Sequence, residues 1–213
     1  MFNLQGSIVA LVTPMEADGT ISWQALEDLI EWHINSGSAG LVIVGTTGES
    51  ATLDVAEHVQ VIENAVKISN GRIKIIAGTG ANSTKEAIYL TNSASFAGAD
   101  AALLVTPYYN RPSQEGLYRH YATIADEVNL PQILYNVPSR TGCDILPETV
   151  EVLSKHQNII GIKEAVNNQK RINELVKISK QSREDFLIFS GDDESFFNLI
   201  IFLSHGNSSI WSL

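Results

Sequence analysis

A lysine stands at the end of a short apolar run, Asn158-Ile-Ile-Gly-Ile-Lys-Glu-Ala165. The run carries β-branched residues between turn-prone segments, which predicts a fully buried strand with Lys163 at its C-terminal mouth. An ionised ammonium in such a place is costly unless paired. A free lysine has a pKa of about 10.4, so only about one in a few thousand is uncharged at pH 7. Burial disfavours the ammonium and supplies the neutral amine that Schiff-base chemistry needs. The alternatives are a lysine that snorkels outward or one that pairs with Glu164.

Other reactive groups follow other apolar runs. Gly45-Thr-Thr-Gly-Glu-Ser50 offers an open backbone and two hydroxyls, suited to a carboxylate, or else an ordinary glycine turn with a helix cap. Thr106-Pro-Tyr-Tyr-Asn-Arg-Pro112 sets adjacent tyrosines in a proline-bounded loop, either a constrained functional element or aromatic packing. Tyr135-Asn-Val-Pro-Ser-Arg-Thr-Gly142 supplies a phenol able to relay protons and, in Arg140, a guanidinium suited to a carboxylate unless it is a surface charge.

The elements that must position these groups recur along the chain. Strand candidates are Ser7 to Pro14, Gly40 to Gly45, Ile73 to Gly78, Ala101 to Thr106, Gln132 to Val137, the lysine run and Phe186 to Ser190. Amphipathic segments separate them, at about 22–37, from Asp54 to before Gly71, from Ser83, at about 114–128, from Pro147, and at about 169–180, with an apolar helical run through Phe197, Ile201 and Leu203. Asp54 with Glu57, and Ser83 with Glu86, have the spacing of capping boxes. Val59, Ile62 and Val66 mark one helix face, with Gly71 after its end. Strands apolar on both faces, alternating with helices every ~30 residues, imply βα units and a parallel sheet. An open doubly wound sheet and a closed (β/α)8 barrel both satisfy that. Regular succession, an eighth strand at Ser208 to Leu213 and polar groups just after the strand ends favour the barrel.

Composition removes several classes. The 213 residues are 44% hydrophobic and suit one domain, 1–213. A net charge of -10 argues against nucleic acid and anionic membrane. Cys143 is the single cysteine, no basic-then-apolar leader opens the chain, and no apolar run reaches membrane-spanning length, so a cytoplasmic protein is expected. The triplets Asn82-Ser-Thr84 and Asn207-Ser-Ser209 are then chance matches to a glycosylation site. Gly78-Thr-Gly80 lacks the third glycine of a dinucleotide fingerprint. His33, His58, His120, His156 and His205 show no metal-ligand spacing, and Asp192-Asp193 reads as a helix cap.

Gly45-Thr-Thr-Gly-Glu49, Tyr135-Asn-Val-Pro-Ser-Arg-Thr-Gly142 and Gly161-Ile-Lys-Glu164 together resemble the dihydrodipicolinate synthase family, from about Gly6 to His205. The resemblance implies a TIM barrel that condenses pyruvate with L-aspartate 4-semialdehyde toward lysine and diaminopimelate, with no metal or organic cofactor. It places the Schiff base on Lys163, a proton relay on Tyr135 and Thr47 completed by Tyr109 from a neighbouring subunit, the pyruvate carboxylate at Thr46 and Thr47, and the semialdehyde carboxylate at Arg140. It also implies a homotetramer and, in many members, inhibition by L-lysine at a dimer interface. The matching positions are Ser50, Ala51, His58, Asn82, Glu86 and Tyr108, with Val55 replacing a histidine of some lysine-sensitive members. Family members run further, with an eighth βα unit and a C-terminal helical domain, so the expected fold is an α/β TIM barrel truncated after strand eight. N-acetylneuraminate lyase, which shares the lysine and tyrosine, and a catalytically impaired family member acting only by binding are the alternatives.

Overall fold

The computed structural model describes Leu4, residues 6–183 and 185–191, and the backbone of 210–212. The Asp192-Asp193 cap, the helical run through Phe197, Ile201 and Leu203, His205, the Asn207 triplet and the side chains of Ile210 and Trp211 lie outside the described residues.

The chain alternates β1 (Ile8–Ala10), α1 (Trp23–Asn35), β2 (Gly40–Ile43), α2 (Val55–Ser69), β3 (Lys74–Gly78), α3 (Thr84–Ala97), β4 (Ala101–Val105), α4 (Gln114–Glu127) and β5 (Gln132–Asn136). Two short helices follow, α5 (Pro138–Thr141) and α6 (Pro147–Leu153), then β6 (Ile159–Glu164), α7 (Gln169–Ser182), β7 (Leu187–Ser190) and β8 (Ile210–Ser212). All eight strands form one sheet in sequential order, every pair parallel. β8 comes back to within 8 Å of β1 between Cα atoms, so the sheet curls into a ring. This is the expected barrel topology, with each strand directed to one common end.

The apolar runs explain the arrangement. Every residue of β2, β5 and β6 is buried, because one face meets the ring interior and the other meets helices. Ile8, Val42, Ile76, Leu103, Ile133 and Phe189 pack together inside the ring. Outside it, Leu41, Ile43 and Ile75 pack with Leu26, Ile30, Val61 and Ile62 of α1 and α2. On the other flank Leu104, Leu134 and Ile162 meet Leu117, Tyr121, Val150 and Leu175.

One irregularity sets the facing of the lysine strand. Gln132 is opposite Ile159, but Ile133 is opposite Gly161, so β6 carries one extra residue, Ile160, in a bulge. Ile159 packs outside the ring and Ile160 inside, while Ile162 packs outside again. Gly161 occupies the interior position opposite Ile133, and alternation then turns Lys163 inward and Glu164 outward. A Cβ at Gly161 would lie 2.6 Å from the Leu187 carbonyl oxygen, so only glycine fits this approach.

Helix starts follow local chemistry. Asp54 and Glu57 make the full reciprocal box at α2, whereas at α3 only the Ser83 hydroxyl accepts from the Glu86 N–H. The buried face of α2 is His58, Val61, Ile62, Ala65 and Ser69, so Val59 and Val66 flank the stripe instead of lying along it. His58 and Ser69 are polar, and a hydrophobic count misplaces the face. β1 is shorter than its apolar run, and Leu11 and Thr13 stay buried after the strand itself has ended.

Candidate active site

Lys163 and Tyr135 are register partners at the ends of β6 and β5, with Nζ 4.6 Å from the tyrosine ring centroid. Both border a cavity of about 480 Å³, which Thr46, Thr47, Arg140 and Gly191 also line. It opens at the ends toward which the parallel strands run, where such barrels carry their chemistry.

Lys163 is 6% exposed, and burial holds its amine at about 8, below the usual 10.5. Its carboxylate neighbour in sequence does not restore that value. Glu164 faces the helices and pairs with Arg171, Nε to Oε2 2.6 Å, which excludes the Lys163–Glu164 alternative. Gly191 makes room for the lysine stem, since a Cβ there would lie 3.0 Å from Lys163 Cε.

The Tyr135 phenol is buried, and burial raises its pKa; Arg140 and a hydrogen bond with the Thr46 side chain act in the opposite direction. It therefore carries its proton at neutral pH and can donate it. The hydroxyl beside Tyr135 belongs to Thr46, where Thr47 was expected in the relay. The Gly45–Ser50 loop turns sharply through left-handed backbone at Val44 (φ 49°) and Glu49 (φ 57°), and Thr13 Oγ1 donates to the Gly48 carbonyl at 2.7 Å. Both threonines remain solvent-accessible on the cavity wall.

Arg140 lies in α5, a single turn opened by Pro138 that periodicity had not marked. Its guanidinium lines the cavity and makes no ion pair among the described residues. Tyr109 does not line the cavity. It is 91% exposed with left-handed backbone (φ 71°), and its N–H donates to the Thr141 carbonyl at 3.4 Å.

The six residues matched to a regulatory site also come together. Ser50, Ala51 and Tyr108 line a second cavity of about 370 Å³ that shares Thr46 and Arg140 with the first. His58 is buried, and its Nε2 lies 2.7 Å from the Gly78 carbonyl. Desolvation lowers its pKa against opposing influences from Gly78, Glu86 and Ser50. Burial and then Glu86 raise the Tyr108 phenol, while the Asn82 backbone lowers it.

Sequence reasoning missed the polar cluster behind the cavity. Asn136 and Glu164 directly follow Tyr135 and Lys163, are opposite one another in register, and turn outward to meet Asp144 and Arg171. Their alternation with two candidate catalytic residues was a usable signal. Arg171, in the first turn of a polar helix, carried none. Among the described residues no group of three or more His, Cys, Asp or Glu could hold a metal ion, and no helix is long and apolar enough to cross a membrane.

A family model described as "Dihydrodipicolinate synthetase family" matches residues 3–212. A 4-hydroxy-tetrahydrodipicolinate synthase of Alcanivorax borkumensis is 56% identical over 207 residues, 97% of this chain and 69% of that one. The crystal structure of the chloride-inhibited dihydrodipicolinate synthase from Acinetobacter baumannii complexed with pyruvate superposes with a TM-score of 0.92 at 50% identity. That similarity covers 99% of this chain and 70% of the other. The enzyme from Cyanidioschyzon merolae with lysine bound gives a TM-score of 0.90 at 36% identity, covering 98% of this chain and 70% of that one.

Proposed function

The chain belongs to the dihydrodipicolinate synthetase family, and from that premise we propose that it condenses pyruvate with L-aspartate 4-semialdehyde to 4-hydroxy-tetrahydrodipicolinate. The observation that carries this reading is a buried amine, held at about 8, standing against a protonated phenol in a cavity that also presents two threonines and an arginine with no ion pair among the described residues. The names of the relatives favour the synthase over N-acetylneuraminate lyase.

The neutral Lys163 amine attacks the pyruvate ketone. Tyr135 gives its proton to the carbinolamine oxygen, which leaves as water, and the protonated imine remains. That imine is the electron sink: a proton passes from the pyruvate methyl group to the Tyr135 phenolate, and the resulting enamine attacks the aldehyde carbon of the second substrate. The aldehyde oxygen takes a proton back from Tyr135 and becomes the product hydroxyl. The amino group of the second substrate then adds to the imine carbon, closing the ring and releasing Lys163. Thr46 and Thr47 hold the pyruvate carboxylate, and Arg140 receives the second carboxylate as a planar two-pronged donor.

The exposed, left-handed Tyr109 supports a homo-oligomer in which it completes the relay of a neighbouring copy, with Thr46 as the local hydroxyl. The cluster around Glu86, Tyr108 and His58 supports an L-lysine site beside the catalytic cavity, and one relative has been crystallised with lysine bound.

The test is reductive trapping with borohydride and pyruvate, read by intact mass. Lys163→Ala is expected to abolish the pyruvate-dependent mass gain while Lys180→Ala keeps it. Labelling that persists in Lys163→Ala removes the assignment.

A further inference from the structure

On that reading of the reaction, we infer that Arg171 is a positioning residue for it. Arg171 grips the lysine strand and the segment following Arg140 at once, and so sets the reach between the imine and the arginine that holds the second carboxylate.

The guanidinium sits on α7, 8% exposed, and spends its donors on two parts of the chain. Nε donates to Glu164 Oε2 at 2.6 Å, on β6 next to Lys163. Nη1 donates to Asp144 Oδ2 at 3.1 Å, and Nη2 reaches Asp144 Oδ1 at 3.0 Å and the Ile145 carbonyl. Asp144 and Ile145 come shortly after the α5 turn that carries Arg140.

Asn136 completes the grip. Its Nδ2 donates to Asp144 Oδ1 at 2.8 Å and Glu164 Oε1 at 3.0 Å, and its Oδ1 accepts from Ile145 N–H at 3.1 Å. Glu164, 1% exposed at its side chain, also accepts from Val166 N–H at 2.9 Å. The cluster thus joins the residue after Tyr135, the residue after Lys163 and the far end of the Arg140 segment, without touching the cavity.

A buried ion pair is weak evidence for stability, since apolar replacements of similar volume are often neutral or better. Fixed geometry is what this one supplies. Arg140 itself has no ion pair among the described residues, so its placement depends on its backbone. That backbone hangs from the end of β5 and from the Asp144–Ile145 clamp. Gln114 holds the same segment from α4, donating to the Asp144 carbonyl at 2.7 Å and accepting from Leu146 N–H at 3.0 Å. Loss of the Arg171 fork therefore loosens the segment and does not release it.

Arg171→Lys keeps the charge beside Glu164 but cannot reach both carboxylates and the carbonyl in one plane. The expected result is a split. Half-saturation by pyruvate in borohydride trapping stays within about twofold, while the KM for aspartate semialdehyde rises about tenfold or more and kcat falls, the sensitivity expected of a misplaced binding group. Asp144→Asn, which leaves the Arg171–Glu164 contact in place, is expected to shift the same KM in the same direction by about threefold. It carries the test alone if Arg171→Lys does not fold. Folded variants with both parameters unchanged, or with both raised by the same factor, overturn the inference. No labelling of the unaltered protein by pyruvate overturns the functional reading and this inference with it.

Discussion

Replacing Lys163 with methionine should make the protein more stable, and the gain should depend on pH. The amine titrates at about 8 in the folded chain against 10.5 ordinarily, because burial penalises the ammonium. At pH 7 the folded protein must hold that ammonium in its 6%-exposed site, which costs about 3 kcal/mol at ~1.4 kcal/mol per pKa unit. Methionine has similar length, no charge and no such cost. Because the folded pKa lies below the unfolded value, the unfolded chain binds the extra proton between pH 8 and 10.5, and native stability rises with pH across that window. The penalty is complete below about 8 and absent above 10.5. Urea unfolding of both proteins at closely spaced pH values should therefore show Lys163→Met ahead by about 3 kcal/mol at pH 7, with the gap closing toward pH 10.5. A methionine variant no more stable at pH 7, or a gap flat with pH, would refute the account of the lysine as a desolvated base.

Thr46→Val should slow pyruvate trapping by about tenfold or more, since it removes the hydroxyl beside Tyr135, and Thr47→Val should slow it less; quenched mass measurements at fixed pyruvate compare the two. Glu86→Ala should weaken L-lysine binding by about tenfold or more in calorimetry, because a charged hydrogen-bonding partner is lost. Gly161→Ala puts a Cβ 2.6 Å from the Leu187 carbonyl oxygen and should cost about 1–3 kcal/mol in urea unfolding, from overpacking of a sheet with no room to shift.

Much of the architecture was legible because buried parallel strands are written as uninterrupted apolar runs. β2 through β7 fall within their expected runs for that reason, and the chemically useful side chains stand out as polar residues at the ends of those runs. What escaped was decided by tertiary placement. Thr46 and Thr47 are identical and adjacent, so their types cannot say which hydroxyl meets Tyr135; in the fold Thr46 does, in a loop with left-handed backbone at Val44 and Glu49. α5 is too short to show a period. The α2 face includes His58, whose ring is buried because the Gly78 carbonyl is there to meet it, a partner 20 residues away. Arg171 looks like any charge opening a polar helix until the fold brings Glu164, Asp144 and Ile145 to it.

The bulge in β6 has a consequence for how this strand tolerates a change in length. Tyr135 and Asn136 present opposite faces at the end of β5, and Lys163 stands in step with the first and Glu164 with the second only because Ile160 is left without a partner. Pairing that ran residue for residue from Ile159 with Ile160 retained would set Ile162 opposite Tyr135 and turn the Lys163 ammonium outward, toward the Arg171 guanidinium, cation against cation. Deleting Ile160 would do the reverse: Ile159 and Gly161 would follow one another opposite Gln132 and Ile133, the bulge would vanish, and Lys163 would still meet Tyr135. The strand thus carries one residue of slack ahead of its glycine, and the lysine keeps its facing because the sheet absorbs that slack in one place.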